Sequence, residues 1–330
     1  MINTFKKYST KVPGILFGII AVMIFFGLMS NAFLTIRNFQ NILSNTAILL
    51  IVGIGMTMTI LAGKLDLSVA GIMSFAGILA AMYLKSIEDP GVVHIIAAIL
   101  IAAIAGACIG TLNGILIGGF KYNHWLVTFA TMSIGFGLTK AVNNGQQVAG
   151  FNKAVRYLGD GRFLGVNVLL IATLIILVVM MLYIRNSRFG THIYCVGDSA
   201  QCAEQSGVNV SKILFYVYLI SGILAGIGGF LFLSKTNSIS PTTCTNYEFN
   251  AIAAVIVGGT SFGGGRGGII RTVYGTLFIT IIRNGVLFIG LNNYQQTVVV
   301  GVVILFIIVL DIINEKRKKV QLLRRRYLDE

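Results

Sequence analysis

Eleven acidic residues, three histidines and four cysteines are the groups this 330-residue chain offers for acid–base, nucleophilic or metal chemistry. Their spacing assembles little of it. His94, His124 and His192 fall in three separate regions, and Cys108, Cys195, Cys202 and Cys244 show no paired spacing. No metal cluster, catalytic triad or disulfide framework is therefore indicated. The run from Gly258 to Gly268 is glycine-rich but lacks the Lys-Ser/Thr with which a phosphate-gripping loop holds phosphate and magnesium. It reads as a tight turn between helices, where glycine permits close backbone approach. The chain does not read as an enzyme.

Asp66 is the carboxylate with most to say. It stands in Gly63-Lys64-Leu65-Asp66-Leu67-Ser68, between two apolar runs. Its side-chain oxygen is placed to cap the following helix by accepting backbone N–H groups near Ser68 or Val69. The other use is a proton site in a helix broken inside a membrane. Glu248 and Asp311 also sit near run ends. The apolar runs otherwise carry neutral hydrogen-bonding groups, among them Asn45, Thr57, Asn113, Thr131 and Ser221, with aromatic company at Trp125, Phe129 and Tyr247. Small hydroxyls mediate helix packing. The remainder suits a pathway for a neutral, polyhydroxylated solute, which needs donors and acceptors but no counter-charge; Asn45, Thr57, Asp66, Ser68, Asn113, Trp125, Phe129, Tyr247 and Glu248 are its candidates.

The polar stretch 185–212 holds a different kind of chemistry. Asp198 with Gln201 three residues on forms a capping-box-like start, and Gly207 is a stop signal. The expectation is one short helix of about two turns, too polar to enter lipid. It is either a lever for a soluble motor or an ordinary linker. As a lever it offers small residues (Ala200, Ala203) to a partner groove, with Gln201, Glu204 and Gln205 as polar contacts.

The elements that must position these groups follow from composition. Hydrophobic residues make up 56% and charged residues only 11%, against about 25% charged in a soluble domain. Mean hydropathy is +0.86. Ten apolar runs can be marked, at about 14–30, 42–62, 67–84, 92–118, 124–142, 164–184, 213–233, 249–264, 267–290 and 294–314. The first follows Lys6, Lys7 and Lys11 without a small-residue cleavage site, so it reads as an uncleaved helix. The net charge of +14 is then a matter of topology and not of nucleic acid. With the N-terminus inside, 17 Lys and Arg residues fall inside and 8 outside, which places both termini in the cytoplasm. Residues 1–13 form a cytoplasmic N-terminus, 185–212 a cytoplasmic loop and 315–330 a basic tail set to touch anionic lipid headgroups. The whole of 1–330 is one polytopic transmembrane domain.

Several segments together resemble the inner-membrane permease subunits of ATP-binding-cassette sugar importers, in the ribose/xylose/galactose permease family. They are Gly53-Ile-Gly-Met-Thr57, Leu61 to Val69, Arg188-Phe-Gly190, Tyr194 with Gly197-Asp198, Ser206-Gly207-Val-Asn209-Val, and Tyr247-Glu248 through Gly267. The resemblance covers nearly the whole chain. It implies an all-α, type II importer-like permease of about ten transmembrane helices in the bacterial cytoplasmic (inner) membrane, paired with an identical or related second permease chain. It also implies an extracytoplasmic sugar-binding protein above and a separate ATPase subunit below; ATP and magnesium belong to that subunit, and this chain binds no cofactor. The ATPase-coupling element would lie within 198–209, with Gly197, Asp198, Ala200, Gln201, Ala203, Glu204, Gly207 and Asn209 as its residues. The chain departs from the family at Lys64, Ala70 and Asn250, where Gly or Ser, Gly, and Asp are usual. The alternative reading is a self-contained secondary transporter or channel that uses Asp66.

Overall fold

The computed structural model describes residues 13–292, 294–303, 305–306, 309 and 313. Residues 1–12, the basic tail 315–330, Asp311 and part of the tenth apolar run lie outside the described residues. Twelve helices are delimited: α1 (Pro13–Met29), α2 (Ile36–Leu61), α3 (Val69–Lys85), α4 (Val92–Gly114), α5 (His124–Val142), α6 (Lys153–Asp160), α7 (Val168–Asn186), α8 (Arg188–Asp198), α9 (Ala200–Gln205), α10 (Val210–Thr236), α11 (Tyr247–Val257) and α12 (Ile269–Phe288). A π-helical turn, Ile115–Gly119, extends α4, and residues 294–303 are helical. By length and composition α2, α4 with its π-turn, α5, α7 and α10 can each cross a membrane, and α1, α3 and α11 are shorter apolar helices.

Seven helices begin on an Asn, Ser or Thr whose side chain accepts a backbone N–H of the first turn: Thr35, Asn123, Asn152, Asn167, Ser187, Ser199 and Asn209. Such caps satisfy donors that an isolated helix end leaves unpaired. They also correct the expectation for 185–212. The segment holds two helices, α8 and α9, and the cap of α9 is Ser199, accepting from Cys202 N at 3.2 Å, not Asp198. Asp198 is instead the last residue of α8. Gly207 does stop α9: its φ is +83°, and the N–H groups of Gly207 and Val208 return to Glu204 O and Ala203 O at 3.0 Å each.

Burial sorts the helices. Every residue of α2 from Thr46 to Leu61 is buried, whereas α7 buries only Leu169, Thr173 and Ile184. A helix apolar all round and buried all round is a central one. The apolar face α7 leaves open is a face for lipid or another membrane chain. Close crossings hold the centre together. Gly106, Gly110, Gly114 and Gly118 recur every fourth residue along α4 and its π-turn, and they form one stripe against α10. A Cβ at Gly110 would lie 2.5 Å from Tyr218 O, and one at Gly114 2.9 Å from Phe215 Cα. With no side chain in the way, the backbones approach closely, which favours association where lipid competes for apolar contact.

At the end of the bundle where α10 terminates, the stretch 143–163 between the fifth and sixth apolar runs is structured. It holds α6, and β1 (Val148–Ala149) pairs antiparallel with β4 (Ser238–Ile239). Ser234 Oγ donates to Val155 O at 2.6 Å, pinning α6 to α10. β2 (Arg162–Phe163) and β3 (Val166–Asn167) form a hairpin through Leu164 and Gly165, both at positive φ, which delays α7 to Val168. The eighth apolar run, 249–264, likewise overran its helix: α11 ends at Val257, about 16 Å long and so about half a membrane core.

Candidate functional site

At the other end of the bundle α2 and α3 are joined by residues 62–68, and α11 and α12 by 258–268. Both turns meet the C-terminus of α8. Gly265 N donates to Leu61 O at 2.9 Å, tying one turn to the other. Gly197 of α8 is wedged between them: a Cβ there would fall 2.6 Å from Gly265 N and closer still to Leu61 O. A Cβ on Gly264 would lie 2.8 Å from both Gly197 O and Gly63 Cα, and one on Gly265 2.9 Å from Asp198 Cα. Gly63, Gly264 and Gly265 stand at φ +71°, +86° and +66°, a region costly for other residues. Tyr194, one turn back on α8, donates its hydroxyl to Gly267 O at 3.2 Å. Burial pushes the pKa of that phenol up, against a smaller opposing effect of Arg271, so it stays protonated and able to donate. Arg271 Nη1 in turn donates to Gly259 O at 2.9 Å.

Directly beyond the α2–α3 turn lies a buried polar chain. Asp66 accepts from Ser68 N at 3.0 Å, from Ser68 Oγ by a short bond, and from Ser221 Oγ on α10 at 2.8 Å. Ser68 Oγ accepts from Asn113 Nδ2 on α4 at 2.8 Å, and Asn113 Oδ1 accepts from Thr131 Oγ1 on α5 at 2.8 Å. Tyr218 of α10 donates to Leu65 O at 2.8 Å. Asp66, Ser68, Asn113 and Tyr218 are all fully buried. Three neutral donors on one carboxylate meet its hydrogen-bonding demand without a cation. The network thereby ties α4, α5 and α10 to the turn.

The other pathway candidates do not join this cluster. Thr57 bonds Thr272 of α12 at 2.6 Å through its hydroxyl. Asn45 sits towards the opposite end of α2, where its side-chain oxygen accepts from Lys235 Nζ. Tyr247 and Glu248 are buried in the first turn of α11, Tyr247 against the Phe232 ring, and Glu248 Oε2 has no hydrogen-bond partner. Trp125 and Phe129 are exposed on α5. Sequence reasoning placed Asp66 beside Ser68 but missed Tyr218, which no local pattern marks.

The coupling candidates divide too. Ala200, Gln201 and Glu204 are exposed on α9, with Glu204 3.8 Å from Lys121. Ala203 corrects the expectation of a surface contact, being buried at 4% exposure within the chain's own core. Asn209 caps α10, accepting from Lys212 N at 2.9 Å. Of the departures, Asn250 donates Nδ2 to Asn246 O at 2.7 Å, a bond an ionised Asp cannot make.

Comparison with known proteins decides the family. The model described as branched-chain amino acid transport system / permease component matches residues 38–308. The chain belongs to this permease family. The permease is 34% identical over 296 residues to the ribose import permease protein of Bacillus subtilis (strain 168), covering 89% of this chain and 90% of that protein. It is 33% identical to the ribose import permease protein of Escherichia coli (strain K12), covering 94% and 98%. The galactose/methyl galactoside import permease protein of the same strain is 31% identical, with 92% and 94% covered. No solved structure matches. The permease is accordingly a multi-pass membrane protein.

Proposed function

We propose that this permease is the membrane subunit of an ATP-driven importer of a monosaccharide, ribose-like or related. The relatives named for ribose and galactose import support the solute class. In this reading the chain makes ten spans in the bacterial cytoplasmic membrane, with both termini and the α8–α9 pair in the cytoplasm. A second permease chain completes the pathway, a binding protein delivers the sugar outside, and a separate ATPase subunit holds ATP and magnesium.

The observation that carries it is the wedge of Gly197 between the two turns. An ATPase pulling on the open face of α9 would move α8, and α8 cannot move without both turns. The α2–α3 turn leads straight into the Asp66 network, which grips α4, α5 and α10. Motion at the membrane surface is thereby delivered to the helices at its centre.

Asp66, which has no cationic partner among the described residues, gives a second reading, proton-driven transport by this chain alone. Vesicles holding the purified chain, with and without the ATPase subunit, separate the two. ATP-dependent uptake of D-ribose or D-galactose only when the ATPase is present is expected. Uptake by the isolated chain under a proton gradient would overturn the importer reading.

A further inference from the structure

A cavity of about 800 Å³ opens at the end of the bundle opposite the glycine turns, within the range of small-molecule sites. It is built by the first turns of α2, the end of α6 with the β2–β3 hairpin, the start of α7 and the ends of α10 and α12. Its polar lining includes Gln40, Asn41, Asp160, Arg162, Asn167 and Lys235, and Phe39 and Phe288 contribute apolar rings. Lys235 Nζ donates to the side-chain oxygens of Asn45 and, at 3.5 Å, of Asn41. Arg162 Nη2 donates to Gln40 Oε1 at 2.6 Å, and Asp160 Oδ2 is 3.2 Å from Arg156 Nη2. Asn38, which also lines the cavity, is 4% exposed and its Oδ1 has no hydrogen-bond partner.

We propose that this cavity is a binding site for a neutral polyhydroxylated solute, the first subsite a sugar meets on entering from outside; this rests on the import reading above. The wall carries both donors and acceptors, as a ring of hydroxyls that both donate and accept requires. Arg162 and Lys235 each donate to an amide oxygen and Asp160 is paired with Arg156, so these groups meet a solute already hydrogen-bonded. The phenylalanine rings offer a surface for the C–H face of a sugar. Arg37 is a third cation of the lining, which makes inorganic phosphate the necessary control.

The test uses the complete transporter with Cys108, Cys195 and Cys202, the exposed cysteines, changed to Ser. A single reporter thiol is placed on the wall by Leu43→Cys or, separately, Val166→Cys, both cavity-lining positions outside the proposed contacts. Modification by a water-soluble thiosulfonate is timed with millimolar D-ribose, D-galactose or inorganic phosphate. The sugar that the complex takes up is expected to slow modification at least fivefold, phosphate not at all. Gln40→Ala with Lys235→Met is expected to remove the protection. Uptake without protection, equal protection by phosphate, or thiols at both positions that never react would overturn the subsite and leave the import function standing. Neither uptake nor protection with either sugar would overturn both.

Discussion

The two ends of the bundle are built from opposite materials. Where α2 ends, backbone meets backbone: Gly197, Gly264 and Gly265 approach their neighbours so closely that no Cβ fits, and Gly63 between them is held at positive φ. Where α2 begins, long polar side chains from α2, α6, β2 and α10 surround open space. Close backbone contact transmits displacement with little slack, because interiors are packed too tightly to absorb it. Flexible polar side chains around a void do the reverse and adapt to what enters. One end is suited to receive force and the other to receive solute, and the Asp66 network lies beside the force end. Substitutions should therefore be far more costly at the glycine end than at the cavity.

The largest effect is expected from Asp66→Leu, which strands the Ser68 backbone N–H and the Ser221 hydroxyl in a buried site. Each unpaired group costs about 1–3 kcal/mol, so thermal unfolding in detergent should show a loss of several kcal/mol or failure to assemble. Next comes Ala203→Trp. Because Ala203 is buried under α9, overpacking should cost about 1–3 kcal/mol and unseat the helix, visible as a lowered melting temperature. Ala200→Trp, on the exposed side, should leave melting unchanged and lower only ATPase association, measured by co-purification. Asp66→Asn should be mild, with uptake largely retained, since an amide still accepts from Ser68 N and donates to Ser221. The smallest effect belongs to the cavity: Gln40→Ala, losing one exposed bond to Arg162, should shift stability by no more than about 0.5 kcal/mol. A stability loss there as large as that at Asp66 would break the contrast between the two ends.

Much of the architecture was legible because the membrane imposes it. Apolar runs near 20 residues lie close to α1, α4, α5 and α10, and Asn or Ser caps mark several starts. What failed was local competition. Asp198 and Ser199 are both good caps, and only the end of α8 decides for Ser199. The run 249–264 is apolar past Val257, so hydropathy alone misses the turn at Gly258–Gly259, where φ at Gly259 reaches +95°. Asp66 and Ser68 were legible as a pair through their spacing. Ser221, Thr131 and Asn113 were visible as hydroxyls and an amide, but the chain of bonds that links them to Asp66 spans 155 residues of sequence separation at its widest, and nothing local encodes it. Tyr218 and Lys235 carry no local signal at all. Neither does the burial of Ala203, which depends on how α9 seats against the rest of the chain.

Gly197→Ala tests the central claim most directly, that the end of α8 carries the ATPase stroke into both turns. The added methyl meets Leu61 O and Gly265 N without touching the exposed face of α9. ATP hydrolysis and sugar uptake should be measured together in the reconstituted transporter, with melting temperature as the control for folding. Expected is a complex that still assembles and hydrolyses ATP, with a lowered melting temperature, while sugar moved per ATP falls at least tenfold. An unchanged ratio of sugar to ATP, in an assembled complex with the methyl in place, would contradict the claim.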